Sequence, residues 1–137
     1  MFQNKAKATL TYSIFTSILL LNGCGNGASD MVKGEACRLA SALINYDENK
    51  VGMYSYSGVS QGHPVINGAR GWQYMCRFNG SRVYVTGKDP SNGWRTGANR
   101  WNDNPSIYTI TFEEKGDYVS VMFSDSYGDN RNLSSKF

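Results

Sequence analysis

The stretch from Trp72 to Val85, WQYMCRFNGSRVYV, decides the fold because it holds two alternating apolar runs separated by an Asn-Gly dipeptide. Asn79-Gly80 is the strongest short signal for a β-hairpin in the chain, since both residues accept the positive φ angles of a type I′ turn. A two-residue turn at this dipeptide predicts a register in which Arg77 faces Arg82. The buried face of the hairpin is then expected to collect Trp72, Tyr74, Cys76, Val83 and Val85.

An amphipathic helix is predicted upstream of this hairpin, from Asp30 to Asn45. Ser29 or Asp30 can cap its first turn. We expect the helix to cover the apolar side of the sheet, because its apolar residues recur at helical spacing and must be buried. That apolar face consists of Val32, Ala36, Leu39, Ala40, Leu43 and Ile44.

Further strands are predicted on both sides of the hairpin. Residues 51–59 form a short run with Val, Met and Tyr, and residues 60–64 indicate a loop. Downstream, residues 107–112 and 118–123 alternate and indicate a second hairpin. The polar tail after Asp125 is compatible with a last edge strand.

The first 23 residues resemble a secretory signal peptide, with a basic start followed by a mostly apolar stretch from Ala8 to Leu21. That stretch is too short for a comfortable membrane span, which needs about 20 apolar residues. The sequence Leu21-Asn22-Gly23-Cys24 is similar to the bacterial lipobox, with Asn22 in place of the commoner Ala, Ser or Thr.

The lipobox resemblance implies cleavage before Cys24 and a lipid on its sulfur. Gly25 follows this cysteine instead of the Asp that favours the inner membrane in enteric-type bacteria. The resemblance therefore implies an outer-membrane lipoprotein, with its domain in the periplasm or at the cell surface. The alternative is an ordinary signal peptide with a chance cysteine near the cut. Residues 24–30 indicate a flexible tether.

Residues 31–137 are predicted to form one α+β domain, with one N-terminal helix packed on an antiparallel meander of about five strands. Cys37 and Cys76 are the cysteines that remain once Cys24 is assigned to lipid. Two cysteines in an exported domain favour one disulfide, which would pin the helix to the inner face of the hairpin. Two free buried thiols are the alternative.

Charge and ligand chemistry argue against several function classes. Lys5 and Lys7 lie in the removable segment, so the 14 basic residues fall to 12 against 11 acidic ones, a net charge of +1. Such a balance does not indicate nucleic-acid binding. Two cysteines and a distant histidine are too few ligands for a metal site, and no cofactor motif is present in the sequence.

No pattern indicates an enzyme, and we expect no catalytic residue. His63, the only histidine, is predicted in a surface loop with no acidic neighbour, whereas a catalytic histidine needs a nucleophile or carboxylate beside it. The acidic pairs Asp47-Glu48 and Glu113-Glu114 are predicted in turns. Adjacent residues on a strand point to opposite faces, so neither pair forms an acid/base couple.

The polar, Gly-rich segment 87–105 holds the first candidate binding residues, Trp94, Arg95, Arg100 and Trp101. Tryptophan and arginine are enriched at binding hot spots, and a tryptophan ring can stack on a sugar or a cation. The alternative is that both tryptophans turn inward to complete a small core.

Arg77 and Arg82 are further candidates, because like charges across a strand pair repel each other. Solvent can screen that repulsion. Otherwise the two guanidinium groups can receive a phosphate or a carboxylate from a partner.

The domain is similar to a group of small bacterial envelope proteins and lipoproteins. They share a Cys-bearing helix, an aromatic-x-Cys-x-Phe strand, a tight turn and a meander, here Cys37, Tyr74–Phe78, Asn79-Gly80 and Val83–Val85. The likeness covers most of residues 35–137. It implies a location and an architecture but no activity.

The leading hypothesis is a non-catalytic outer-membrane lipoprotein that binds another envelope component or protein. One alternative is a small-ligand or glycan-binding module that uses the Trp94–Trp101 loop. Another is an inhibitor or exclusion factor directed at a foreign protein.

Overall fold

A computed structural model describes residues 28–97, 100–101 and 105–137. The predicted signal peptide, Cys24 and most of the tether lie outside these residues. Within them, the helix α1 spans Asp30–Ile44, and 3-10 turns span Glu48–Met53 and Ala69–Gly71. The strands are β1 Ser55–Ser60, β2 His63–Asn67, β3 Gln73–Asn79, β4 Arg82–Asp89, β5 Gly93–Trp94, β6 Tyr108–Lys115, β7 Tyr118–Asp125 and β8 Asn130–Lys136.

The strands form one antiparallel sheet that curves around α1 as a half-barrel. Its order is β1-β2-β3-β4-β6-β7-β8, and the short β5 pairs with the far end of β4. The prediction of about five strands was too low, since the described residues contain eight. The helix α1 contacts strands at both ends of the sheet. No helix in the described part of the chain combines the length and apolar character needed to cross a membrane.

The segment 60–64 is not the predicted loop, because β2 begins at His63. Gln61 and Gly62 have φ angles of 55° and 81° and join β1 to β2 through a two-residue turn. Pro64 lies opposite Val59 of β1. The segment 51–59 likewise divides into a 3-10 turn and β1. The glycine and proline of segment 60–64 suggested a loop. In the structure Gly62 lies in the two-residue turn and Pro64 lies in β2.

The hairpin of β3 and β4 is confirmed, but its predicted register was wrong by two residues. Asn79 pairs with Arg82, so the turn consists of Gly80 and Ser81. Only Gly80 takes a positive φ, 59°, which excludes the type I′ turn that the register was based on. Arg77 therefore faces Tyr84 instead of Arg82. A shift of two residues preserves the alternation, so Tyr74, Cys76, Val83 and Val85 are buried as expected.

The helix and its disulfide are also confirmed. The Ser29 hydroxyl accepts a hydrogen bond from the Val32 N–H at 3.2 Å and caps the first turn. Cys37 and Cys76 are both fully buried and form a disulfide. The remaining predicted apolar residues of α1 pack against the inner face of the sheet.

The sheet is not one-sided, because its outer face carries a second apolar cluster. Val65, Met75 and Trp101 are buried there, with Tyr84 and Trp94 packed against them. Trp101, which follows β5 in the chain, lies on this face, and the local alternation of the strands could not predict its position.

Arg131 of β8 ties the last strand to the helix. Its Nη1 donates hydrogen bonds to the Leu43 carbonyl at 2.9 Å and to Glu48 at 2.8 Å, and its Nε donates to Asp129 at 2.9 Å. The guanidinium carbon lies 4.4 Å from the centre of the Phe123 ring. Burial alone would lower the pKa of Arg131, but the hydrogen bonds with its two carboxylates raise it above its ordinary value. The guanidinium therefore stays charged and satisfies one of the terminal carbonyls of α1.

We expect Arg131→Met to lower the free energy of unfolding by about 2 kcal/mol, since the partly buried carboxylate of Glu48 loses its donor and the Leu43 carbonyl keeps only backbone N–H donors such as that of Tyr46. Urea unfolding followed by tryptophan fluorescence measures this change. The control is Lys136→Met, which breaks the exposed pair between Lys136 and Asp117. That substitution should change the free energy of unfolding by less than about 0.5 kcal/mol. Equal effects of the two variants would show that the Arg131 network contributes no more than a surface pair.

Candidate functional site

The outer face of β2, β3 and β4 collects the candidate binding residues. Neighbouring residues on a strand point to opposite faces, so the residues that alternate with the buried core point away from α1. Pairing then places these side chains next to one another, as in the Arg77–Tyr84 pair. We call this surface the basic aromatic face, and it consists of His63, Arg77, Arg82, Tyr84, Lys88, Trp94, Arg100 and Trp101.

Tyr84 lies at the centre of two of these contacts. The guanidinium carbons of Arg77 and Arg82 lie 4.8 Å and 5.2 Å from the centre of its ring. Both distances are typical of cation–π interactions. The structure thus brings the two predicted arginines together around a shared aromatic ring and not directly across the ladder.

Trp101 forms the second centre of the face. The guanidinium carbons of Arg77 and Arg100 lie 5.3 Å and 5.7 Å from the centre of its ring system. The centre of the His63 ring lies 5.1 Å from the centre of the Trp101 ring system, in an edge-to-face arrangement. Trp101 is only 6% exposed, so it belongs to the outer apolar cluster and holds cations instead of presenting a free stacking surface. For Trp101, the alternative that a tryptophan of segment 87–105 turns inward to complete a core is therefore correct.

Trp94 and Arg95 are placed differently from Trp101. Trp94 is half-buried at the edge of the outer cluster, with the Lys88 ammonium 5.8 Å from the centre of its ring system. The backbone N–H of Arg95 donates a hydrogen bond to the Gly87 carbonyl at 3.0 Å. The Arg95 side chain is exposed and lines a cleft along β4, apart from the basic aromatic face. The four candidates of this segment therefore do not form a single site.

At three positions of the face, no described residue forms an ion pair with the cation. Among the described residues, Arg82, Lys88 and Arg100 take part in no ion pair. Burial lowers the pKa of His63, and the charges of Arg77 and Arg100 lower it further. His63 is therefore mostly neutral at pH 7, so it adds little positive charge to that of the surrounding arginines.

The predicted positions of His63 and of one acidic pair need correction. His63 lies in strand β2 and packs on Trp101, so it is not in a surface loop. Glu113 and Glu114 lie within β6 and not in a turn, since the turn lies two residues further on, at Gly116-Asp117. Both glutamates are exposed. Within the described residues, no three histidine, cysteine or acidic side chains lie close enough to hold a metal ion.

Sequence reasoning missed Tyr84 as a binding residue. Tyr84 lies two residues after Arg82, so the alternation of β4 already places both side chains on one face. The predicted register placed Arg82 opposite Arg77, so it did not predict the contact between Arg77 and Tyr84.

The geometry defines a class of protein, a small disulfide-linked antiparallel sheet with a helix on its inner face and a cationic, aromatic surface on its outer face. Comparison with known proteins adds no family to this class. No family model matches the chain, and no curated protein or solved structure is significantly similar to it.

Proposed function

We propose that this protein is a non-catalytic lipoprotein, anchored to the outer membrane through Cys24, that binds an acidic surface of another envelope protein. The binding surface is the basic aromatic face. The observation that carries this proposal is that its arginines are held by aromatic rings, while three of its cations have no carboxylate partner among the described residues.

Stacking prepares a guanidinium group for binding. A ring restrains the long side chain without using its N–H groups, which remain in the guanidinium plane for a bidentate contact with a carboxylate. Less side-chain entropy is then lost when a partner binds.

The position of the anchor also favours a partner at the membrane. Asp30, where α1 begins, lies six positions after Cys24. Six extended residues span at most about 20 Å. In this proposal the domain therefore stays close to the lipid surface, where other membrane proteins can meet the basic aromatic face.

We expect the double substitution Arg82→Glu/Arg100→Glu to reduce capture of the partner at least about 10-fold, because it places like charges against the acidic surface. The measurement is quantitative crosslinking in intact membranes, followed by mass spectrometry of the captured protein. Capture by the native chain should also weaken as salt is raised.

The matched control for this experiment is Lys50→Glu/Lys115→Glu. It changes the net charge by the same amount at two exposed lysines outside the basic aromatic face. The control should capture the partner as well as the native chain does. Equal losses in both double variants would mean that overall charge, and not this face, governs the interaction.

A second candidate function is glycan binding beside Trp94. A shallow pocket of about 250 Å³ lies on the outer side of the sheet, lined by Trp94, Lys88 and Gln73 together with residues of β1. A half-buried indole with nearby amide and hydroxyl groups suits a sugar ring. This candidate differs in its readout, since a bound sugar would change tryptophan fluorescence and give no protein crosslink.

A further inference from the structure

A cleft of about 570 Å³ opens along β4, between its pairing with β6 at Arg82 and its pairing with β5 at Lys88 and Asp89. It is lined in part by Gly87 and the C-terminal end of α1. Its volume falls within the range of small-molecule sites.

One wall of the cleft is aromatic. The rings of Trp72 and Tyr74 are nearly parallel, with an interplanar angle of 15° and centres 6.4 Å apart. Both rings lie against Gly87. Gly68 supports the Tyr74 ring from behind, where a Cβ would lie 2.5 Å from a ring carbon, so only glycine permits this ring position. The wall is thus a fixed surface for a flat or cyclic molecule.

Two guanidinium groups line the same cleft, those of Arg70 and Arg95. Arg70 takes part in no ion pair among the described residues. Its backbone has a φ of 55° and a ψ of 35°, a left-handed conformation that is unfavourable for a residue with a side chain. Such strain is common where a side chain is held for binding.

We propose that this cleft binds a small ring-bearing carboxylate. The ring lies along Trp72 and Tyr74, and the carboxylate lies against the guanidinium groups of Arg70 and Arg95. This site is separate from the basic aromatic face, so its occupancy does not depend on the proposed protein partner.

Isothermal titration calorimetry of the full domain tests this proposal with two probes, 4-hydroxybenzoate and glucuronate, which carry an aromatic and a sugar ring. The neutral analogues 4-hydroxybenzamide and glucose serve as controls. At least one acid should bind with one-to-one stoichiometry and a Kd of about 0.1 to 1 mM. Its neutral analogue should bind at least about 10-fold more weakly. Failure of both acids to saturate the protein, or equal binding of acid and analogue, would overturn the proposal.

Two substitutions locate the binding of whichever acid saturates. Arg70→Gln should weaken it at least about 10-fold, since a charged hydrogen bond is lost. Arg82→Gln on the basic aromatic face should leave the Kd unchanged. Binding that survives Arg70→Gln, or that Arg82→Gln weakens equally, would place the acid elsewhere and overturn the assignment.

Discussion

Replacing Cys24 with serine is expected to move the protein from the membrane fraction to the soluble fraction of the envelope. Each buried methylene of an acyl chain contributes about 0.8 kcal/mol, so the loss of several chains removes essentially all of the affinity for the membrane. The measurement is fractionation of cells that express the native chain or Cys24→Ser, combined with incorporation of labelled palmitate.

The control for this prediction is Cys37→Ala/Cys76→Ala, which keeps Cys24 and should remain labelled and membrane-bound. An ordinary signal peptide predicts the opposite pattern, in which the native chain itself is soluble and unlabelled. A labelled Cys24→Ser chain would show that the lipid is attached at another residue.

Loss of the Cys37–Cys76 disulfide should lower the free energy of unfolding by about 4 kcal/mol. The two cysteines are 39 residues apart, and a loop of this length restricts the unfolded chain to that extent in the chain-entropy model. Denaturant unfolding of the native chain and of Cys37→Ala/Cys76→Ala measures the difference. For a domain of this size, the midpoint of thermal unfolding should fall by roughly 15 °C or more.

A reductant separates the covalent effect from the change in side chains. Dithiothreitol should destabilise the native chain nearly to the level of the double alanine variant, and it should leave that variant unchanged. A reduced native chain with undiminished stability would show that packing between α1 and the hairpin holds without the covalent link.

Elements with local signals were predicted well. The helix α1 follows from apolar spacing and a capping serine, and the hairpin of β3 and β4 follows from alternation and an Asn-Gly turn signal. The register failed because the choice of turn depends on φ angles at single residues. Gly80 alone has a positive φ, although the dipeptide allowed two such residues.

Elements without a strong local signal were missed. The strand β2 contains Pro64 and follows Gly62, which together resemble a loop. The predicted number of strands was therefore too low, although the sheet was correctly predicted to be antiparallel. Only pairing with β3 shows that this segment belongs to the sheet.

The candidate sites were only partly predictable for the same reason. Trp94, Arg100 and Trp101 were selected by residue type, and Arg77 and Arg82 were selected from a register that was wrong. All five nevertheless reach one face. The cleft along β4 had no signal in the sequence, because residues far apart in the chain, such as Ile44, Arg70 and Arg95, line it together.

The sequence by itself determined the apolar face of α1, the inner face of the hairpin and the pairing of Cys37 with Cys76, because periodicity and a small number of cysteines leave few alternatives. It also predicts lipidation of Cys24 through a local motif. The tertiary structure alone decided that Trp101 covers the outer face, that its cations stack on aromatic rings, and that a cleft remains beside β4. These features join residues far apart in the chain, and no local pattern specifies which distant side chains will meet.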